Sequence, residues 1–159
     1  MMWLTLLGAA LAAPMFPAVS GETLAGEALS LPAAADGKAL ILLGMGRDDQ
    51  VMIDTWLPLM ASLEVSAGLR YYEVALVDDV NFALKAVITA GMKVTLPDAM
   101  FARTMALFEA REPVLASLEL SEGAGMQVLL VDGTGAVLWL GAGGWSEAGE
   151  ASLRAALEE

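Results

Sequence analysis

The chain has 159 residues, enough for one domain, and its composition excludes several kinds of chemistry. It contains no cysteine and no histidine, which excludes thiol redox chemistry, zinc sites built on thiolate or imidazole, and serine–histidine triads. The net charge of −12 argues against binding to nucleic acids or strong binding to an anionic membrane, because there is no basic patch to neutralise phosphates. What remains is carboxylate chemistry or no catalysis, and we expect no cofactor.

Residues 1–12 predict a signal peptide or an N-terminal anchor. Met1–Ala13 is apolar and uncharged, and Ala10-Leu11-Ala12 fits the small-x-small pattern of a cleavage site. The run is too short for a comfortable transmembrane helix. A cleaved signal predicts an exported, periplasmic protein whose domain spans residues 16–159. Because the leader has no positively charged n-region, an uncleaved anchor and a misassigned start codon are the alternatives.

A buried strand followed by a polar turn is predicted over Lys38–Asp49. Leu40–Leu43 is a continuous apolar run, which is typical of a strand covered on both faces. Gly44 and Gly46 then allow a tight turn. The turn reads Gly-Met-Gly-Arg-Asp-Asp and contains no cysteine.

The turn leads into an amphipathic helix predicted over Asp48–Leu63. Asp48 or Asp49 can cap this helix by accepting the free N–H groups of its first turn. Pro58 removes a helical hydrogen bond, so we expect a kink near Leu57 or an early end of the helix.

A second strand and a second helix follow. Leu69–Val77 is rich in aromatic and β-branched residues, so it predicts a strand parallel to the first with a right-handed crossover. Val80–Met92 is helical in pattern, and Gly91 is expected to end it. The candidate packing residues of this helix are Phe82, Leu84, Val87 and Ile88.

The rest of the chain predicts short elements and a clear C-terminal hairpin. Met126–Val131 and Ala136–Leu140 flank Asp-Gly-Thr-Gly, whose turn chemistry tolerates positive φ. Ser146 caps a final helix. The other predicted elements are an entry hairpin at Thr23–Leu31, short helices at Asp98–Ala102 and Glu112–Leu118, and a strand at Met105–Phe108.

This order of elements resembles the thioredoxin-like fold. The resemblance implies an α/β fold whose central mixed sheet combines a parallel strand–helix–strand with a C-terminal antiparallel hairpin, flanked by helices. The segment VLLVDGTGAVLW resembles the hairpin of peroxiredoxins and related thiol proteins. Thioredoxins usually place a cis-proline just before this hairpin, where this chain has Gly123-Ala124-Gly125.

Several short motifs also resemble a family of cysteine-poor thioredoxin-like proteins. That family includes the mitochondrial assembly factor for the membrane sector of ATP synthase and its bacterial relatives. Where that family often has Met-Arg, this chain has Met92-Lys93. The matching motifs are Phe16-Pro17, Leu24-x-Gly26, Asp54-Thr55-Trp56, Tyr71-Tyr72-Glu73-Val74, Gly91-Met92-Lys93 and Leu130-Val131-Asp132 with Trp139 and Gly143. The resemblance implies no catalytic residues.

Acidic residues follow both predicted parallel strands, at the sheet edge where α/β proteins tend to bind ligands. This possible binding edge comprises Met45, Arg47, Asp48, Asp49, Asp78 and Asp79. Carboxylates gathered there could hold Ca²⁺ or Mg²⁺. The simpler interpretation is helix capping for the first Asp pair and a solvated loop for the second.

A possible interaction face comprises Lys93, Arg103 and Trp145, of which Trp145 is expected to be exposed because it follows a glycine-rich exit. Together these features favour a non-catalytic binding or assembly module for a protein partner in the cell envelope. A carboxylate-based metal or small-ligand binder is the first alternative. A thiol oxidoreductase is disfavoured because there is no cysteine. The sequence does not determine the oligomeric state.

Overall fold

The computed structural model describes residues 13–159, so the predicted leader at residues 1–12 lies outside the described part. The strands are β1 (Val19–Glu22), β2 (Ala28–Leu31), β3 (Ala39–Gly44), β4 (Arg70–Leu76), β5 (Thr104–Leu107), β6 (Gln127–Val131) and β7 (Val137–Ala142). The helices are α1 (Asp49–Ala67), α2 (Phe82–Thr95), α3 (Arg111–Ser117) and α4 (Glu147–Leu157). Two 3₁₀ segments span Ala33–Ala35 and Asp98–Arg103.

A five-stranded mixed sheet in the order β5-β4-β3-β6-β7 forms the centre of the molecule, and β1 and β2 form a separate antiparallel hairpin. β3 pairs parallel to β4, and β4 pairs parallel to β5. β6 pairs antiparallel to β3 and to β7. All six residues of β3 are buried, as the continuous apolar run predicts for a central strand. The predicted mixed sheet with a C-terminal hairpin is therefore confirmed.

Two apolar cores lie on opposite faces of this sheet. On one face, Leu40 and Leu42 of β3 pack in the core that α1 and α4 supply, with Trp56 and Leu153 among its members. On the other face, the core combines alternate strand residues with the β1–β2 hairpin and α3. The alternation of side chains along β3 decides which residue enters which core.

The helix α1 runs unbroken from Asp49 to Ala67 with Pro58 inside it, so the expected early end is wrong, and the alternative of a kink near Leu57 stays a prediction. Pro58 is exposed, whereas Trp56 and Met60 on either side of it are buried against the sheet. This packing outweighs the loss of one backbone hydrogen bond. The helix ends instead at Gly68, whose φ of 63° closes the C-terminus in the left-handed conformation.

In residues 13–159, no helix has both the length and the apolar character needed to cross a membrane.

Candidate functional site

The carboxyl ends of β3 and β4 meet at one arginine of α3. The Nη1 group of Arg111 donates hydrogen bonds to the backbone carbonyls of Met45, at 2.9 Å, and of Leu76, at 3.1 Å. Its Nε donates to Glu122 at 2.9 Å and lies 3.7 Å from a carboxylate oxygen of Asp78. The guanidinium therefore joins the two turns that follow the parallel strands, at the edge where the sequence predicts a binding site.

The side chain of Asp49 is buried and closes the turn after β3. Its Oδ2 accepts hydrogen bonds from the N–H groups of Met45, at 2.7 Å, and Gly46, at 3.0 Å. Asp48 occupies the N-cap position of α1, yet its side chain makes no capping hydrogen bond. The predicted capping by either aspartate is therefore wrong, because Asp49 satisfies the N–H groups of the preceding turn rather than those of the helix.

The predicted binding edge is consequently smaller than the sequence suggests. Met45 and Asp49 are buried, whereas Arg47, Asp48 and the Asp78-Asp79 pair are exposed. Asp79 forms an ion pair with Lys85 of α2 at 3.3 Å. Within the described range, no group of three or more acidic residues is placed to hold a metal ion. The cation-binding alternative therefore gains no geometric support.

Replacing Asp78 and Asp79 with asparagine is expected to change the melting temperature by less than about 2 °C, because exposed ion pairs contribute little to stability. Calorimetry checks this, with wild type in the same buffer as the control. If the exposed part of this edge contacts the partner, the same double variant weakens partner binding. Unchanged binding would remove the edge as a contact surface, and a larger drop in melting temperature would show a structural role.

The structure places the three residues of the possible interaction face on different elements. Arg103 donates to Glu64 at 3.0 Å and stacks 4.0 Å from the ring centroid of Tyr71. Trp145 is 44% exposed, as expected, and its indole N–H donates to Glu150 of α4 at 2.9 Å. Lys93 lies in α2. These contacts give Arg103 a structural role, and they do not unite the three residues into one face.

The helix α2 differs most from the sequence prediction. None of the fourteen α2 side chains is buried against the rest of residues 13–159. Phe82, Val87 and Val94 are 87%, 65% and 86% exposed, and Leu84 is also exposed. Three of the four predicted packing residues, all but Ile88, therefore face solvent. The helix also continues past Gly91 to Thr95.

Only one stripe of α2 faces the body of the protein, and it is half-buried. The stripe consists of Lys85, Ile88, Thr89 and Met92. Lys85 contacts Asp79 and, at 3.5 Å, Glu109, and its ammonium lies 5.5 Å from the ring centroid of Phe108. The N-terminal part of α2 is thus attached by charged and cation–π contacts, while its apolar residues point elsewhere. A helix that is apolar on nearly all sides is normally buried.

Close to the attached end of α2 lies an open cleft of about 550 Å³. Its walls come from Pro17–Gly21, from Ala106–Ala110 and Pro113, and from Lys85. The charged groups that line it, Lys85 and Glu109, are already paired with each other. We therefore assign no chemistry to this cleft.

A buried carboxyl that the sequence did not predict as a site residue lies in the middle of β4. Glu73 is 1% exposed, and its Oε2 has no hydrogen-bond partner in the described part of the chain. Burial raises the pKa of Glu73 to about 7, the nearby Gln50 amide opposes this rise, and the charge of Asp54 adds to it. The sequence feature that could have predicted this buried carboxyl is a glutamate within the otherwise apolar strand pattern Tyr-Tyr-Glu-Val-Ala-Leu.

A second unpartnered polar group lies beside Glu73. Thr104 of β5 is the register partner of Glu73, and its buried hydroxyl also lacks a hydrogen-bond partner among residues 13–159. On the helix side, Gln50 donates to Asp54 at 2.9 Å. Two buried oxygen atoms without a partner among residues 13–159, one on Glu73 and one on Thr104, thus share the α1 face of the sheet, a costly arrangement in an otherwise apolar core.

Comparison with known proteins identifies the fold. No protein-family model and no curated protein matches the chain. It is similar to a thiol:disulfide interchange protein from Chlorobium tepidum, with 16% identity, a TM-score of 0.60, and coverage of 94% of this chain and 97% of that one. It is also similar to an exposed lipoprotein thioredoxin from Streptococcus pneumoniae, with 14% identity, a TM-score of 0.59, and coverage of 90% and 100%.

A third similar structure is StoA from Bacillus subtilis, with 14% identity, a TM-score of 0.59, and coverage of 91% of this chain and 98% of that one. At such identities the similarity establishes the fold alone. The chain has a thioredoxin-like α/β fold, as predicted, and it has no cysteine.

Proposed function

We propose that the chain is a non-catalytic thioredoxin-like module that binds a protein partner through α2. The observation that supports this most strongly is a fourteen-residue helix with no side chain buried against the rest of residues 13–159 and with several exposed apolar side chains. Exposed apolar patches on soluble domains mark interaction sites when they are contiguous. Burying Val87 and Val94, which lie on one face of α2, against a partner would recover hydrophobic free energy that the exposed helix forgoes.

The chemistry of the strand-end edge supports the non-catalytic part of the proposal. In a thiol oxidoreductase a thiolate performs the exchange, and this chain has no thiol. Arg111 and Asp49 instead use their polar groups to hold the two turns together through backbone hydrogen bonds. These polar groups stabilise the fold. In the proposal the partner therefore binds at α2 and not at this edge.

Export to the cell envelope also belongs to the proposal. The apolar leader supports it, and one of the similar structures is an exposed lipoprotein. The resemblance to the ATP synthase assembly family stays a prediction, since the comparisons give no evidence on it.

The proposal is tested by placing a photo-crosslinking amino acid at Val87 in the organism that encodes the chain. Val65 of α1 is the matched control, because it is also a valine on a helix and is 89% exposed. We expect a discrete crosslinked protein adduct from position 87 and none from position 65. Adding Val94→Glu should abolish that adduct, because it places a charge in the apolar surface.

Two outcomes would contradict the proposal. Equal crosslinking from positions 65 and 87 would show that α2 is not a preferred surface. Disulfide exchange by the purified chain, persisting after contaminating thiol enzymes are removed, would contradict the non-catalytic assignment.

A further inference from the structure

The exposed face of α2 carries small apolar residues at heptad spacing. Ala83, Val87, Ala90 and Val94 are spaced by four, three and four residues, and all four side chains are exposed. This is the spacing of alternating d and a positions in a heptad, with alanine at each d and valine at each a. These residues lie opposite the half-buried stripe that faces the protein body. The face therefore has the form of one half of a two-helix seam.

We propose that this seam binds a second copy of the chain, with the two α2 helices antiparallel about a point midway between Ile88 and Thr89. The proposal rests on the proposed function and names the partner of the α2 surface. In an antiparallel pair, each a position faces a d position of the other helix. Every valine then faces an alanine: Val87 faces Ala90, and Val94 faces Ala83.

The alternation of sizes selects the antiparallel arrangement. A parallel pair would place valine against valine and alanine against alanine, leaving voids at the alanine layers. Opposing each valine with an alanine fills every layer equally and lets the helix axes approach to about 8 Å. A two-fold antiparallel pair is also closed, so it yields a dimer and no longer chain of copies.

The distribution of charge favours association of two copies through α2 rather than through other parts of the surface. Two chains of net charge −12 repel one another. Between Val80 and Leu96 the sequence has two lysines and no acidic residue, so repulsion is weakest where two α2 helices meet.

A lipid bilayer fits the surface less well. The centre of the seam consists of alanine and valine, which offer little apolar area for insertion compared with the tryptophan, phenylalanine and leucine of membrane-surface helices. The negative charge of the whole chain also opposes approach to anionic lipid. Small side chains are instead suited to close contact between helices.

The expected dimer is reversible. A helix of this length extends about 21 Å, so the seam buries less than the roughly 800 Å² per partner of a standard protein interface. We therefore expect a dissociation constant above about 1 μM, and association that strengthens as salt screens the repulsion.

The absence of cysteine from the chain makes a disulfide test direct. Ala83→Cys and Val94→Cys proteins are mixed in equal amounts and oxidised gently, after circular dichroism has confirmed that each is folded. The mixed disulfide joins position 83 of one variant to position 94 of the other. In an antiparallel pair only these two positions face each other. We therefore expect the yield of the mixed disulfide to exceed that of either symmetric disulfide about tenfold. Random collision gives a two-to-one statistical excess, and parallel pairing gives the symmetric products. Either result would overturn the proposal.

Sedimentation velocity gives a readout that does not depend on an introduced thiol. Val87→Glu should weaken association by about tenfold or more, because it buries an unpaired carboxylate in the seam, whereas Val65→Glu should leave association unchanged. A wild-type chain that stays monomeric up to about 1 mM refutes the dimer. Binding of that monomer to phosphatidylcholine vesicles would point to a membrane instead. A monomer that still yields the Val87 photo-adduct in cells would leave the proposed function standing with a different protein partner.

Discussion

Replacing Glu73 with glutamine is expected to stabilise the protein at pH 8 by about 2 kcal/mol more than at pH 5. Burial raises the pKa of Glu73 from its ordinary value of 4.5 to about 7. Because the pKa in the folded state lies above that of the unfolded chain, the protonated carboxyl is favoured in the fold. Its contribution to stability is complete below about pH 4.5 and is lost as the pH rises through about 7. Glutamine keeps the shape of the side chain without ionising.

Urea unfolding of wild type and Glu73→Gln at both pH values measures this difference. Glu27→Gln is the control, because Glu27 is exposed and lies outside both cores. We expect the wild type to lose stability between pH 5 and pH 8 and the Glu73 variant to lose less. If the free energy of unfolding changed equally with pH in wild type and in Glu73→Gln, the fold would not hold Glu73 in its neutral form.

Burial of the Glu73 carboxyl is unfavourable once the group ionises. A carboxyl that costs stability at neutral pH is easily replaced by an apolar residue of similar size. Ionisable groups with perturbed pKa values concentrate at functional sites. Glu73 lies on the same sheet face as α1, with Gln50 and Asp54 nearby.

The sequence predicts the central part of this fold because local and global signals agree there. Leu40–Leu43 is uniformly apolar, and the structure buries both faces of β3. The turn after Val131 is also determined locally: Asp132 Oδ1 accepts hydrogen bonds from the N–H groups of Thr134 and Ala136. Gly135, with φ of 93°, supplies the conformation that other residues avoid. Such features depend on a few neighbouring residues.

The candidate sites were harder to predict because they depend on what lies across the fold. Helical periodicity shows that α2 has an apolar face, but it does not say whether the same chain covers that face. The position of Asp49 before a helix suggests a cap, and only the observed turn shows its oxygen bound to Met45 and Gly46. Arg111 is distant in sequence from both strand ends that it joins. A pattern of neighbouring residues contains none of this information.

Replacing Arg111 with methionine is expected to destabilise the protein by about 2 kcal/mol, because charged hydrogen bonds to two backbone carbonyls are lost together. Methionine retains an unbranched apolar stem, so packing changes little. Urea unfolding measures the global effect. Amide exchange should show the residue 44–49 and 76–79 turns opening before the sheet, since Arg111 links Met45 to Leu76.

Arg111→Lys is the matched control for this substitution. Lysine keeps the positive charge near Glu122 and Asp78, but a single ammonium cannot reproduce the planar guanidinium that serves two carbonyls and a carboxylate at once. We therefore expect lysine to restore only part of the lost stability. Full restoration by lysine would show that charge alone matters at this edge. No loss in the methionine variant would show that the two turns hold together without Arg111, leaving Asp49 as the main constraint on the turn after β3.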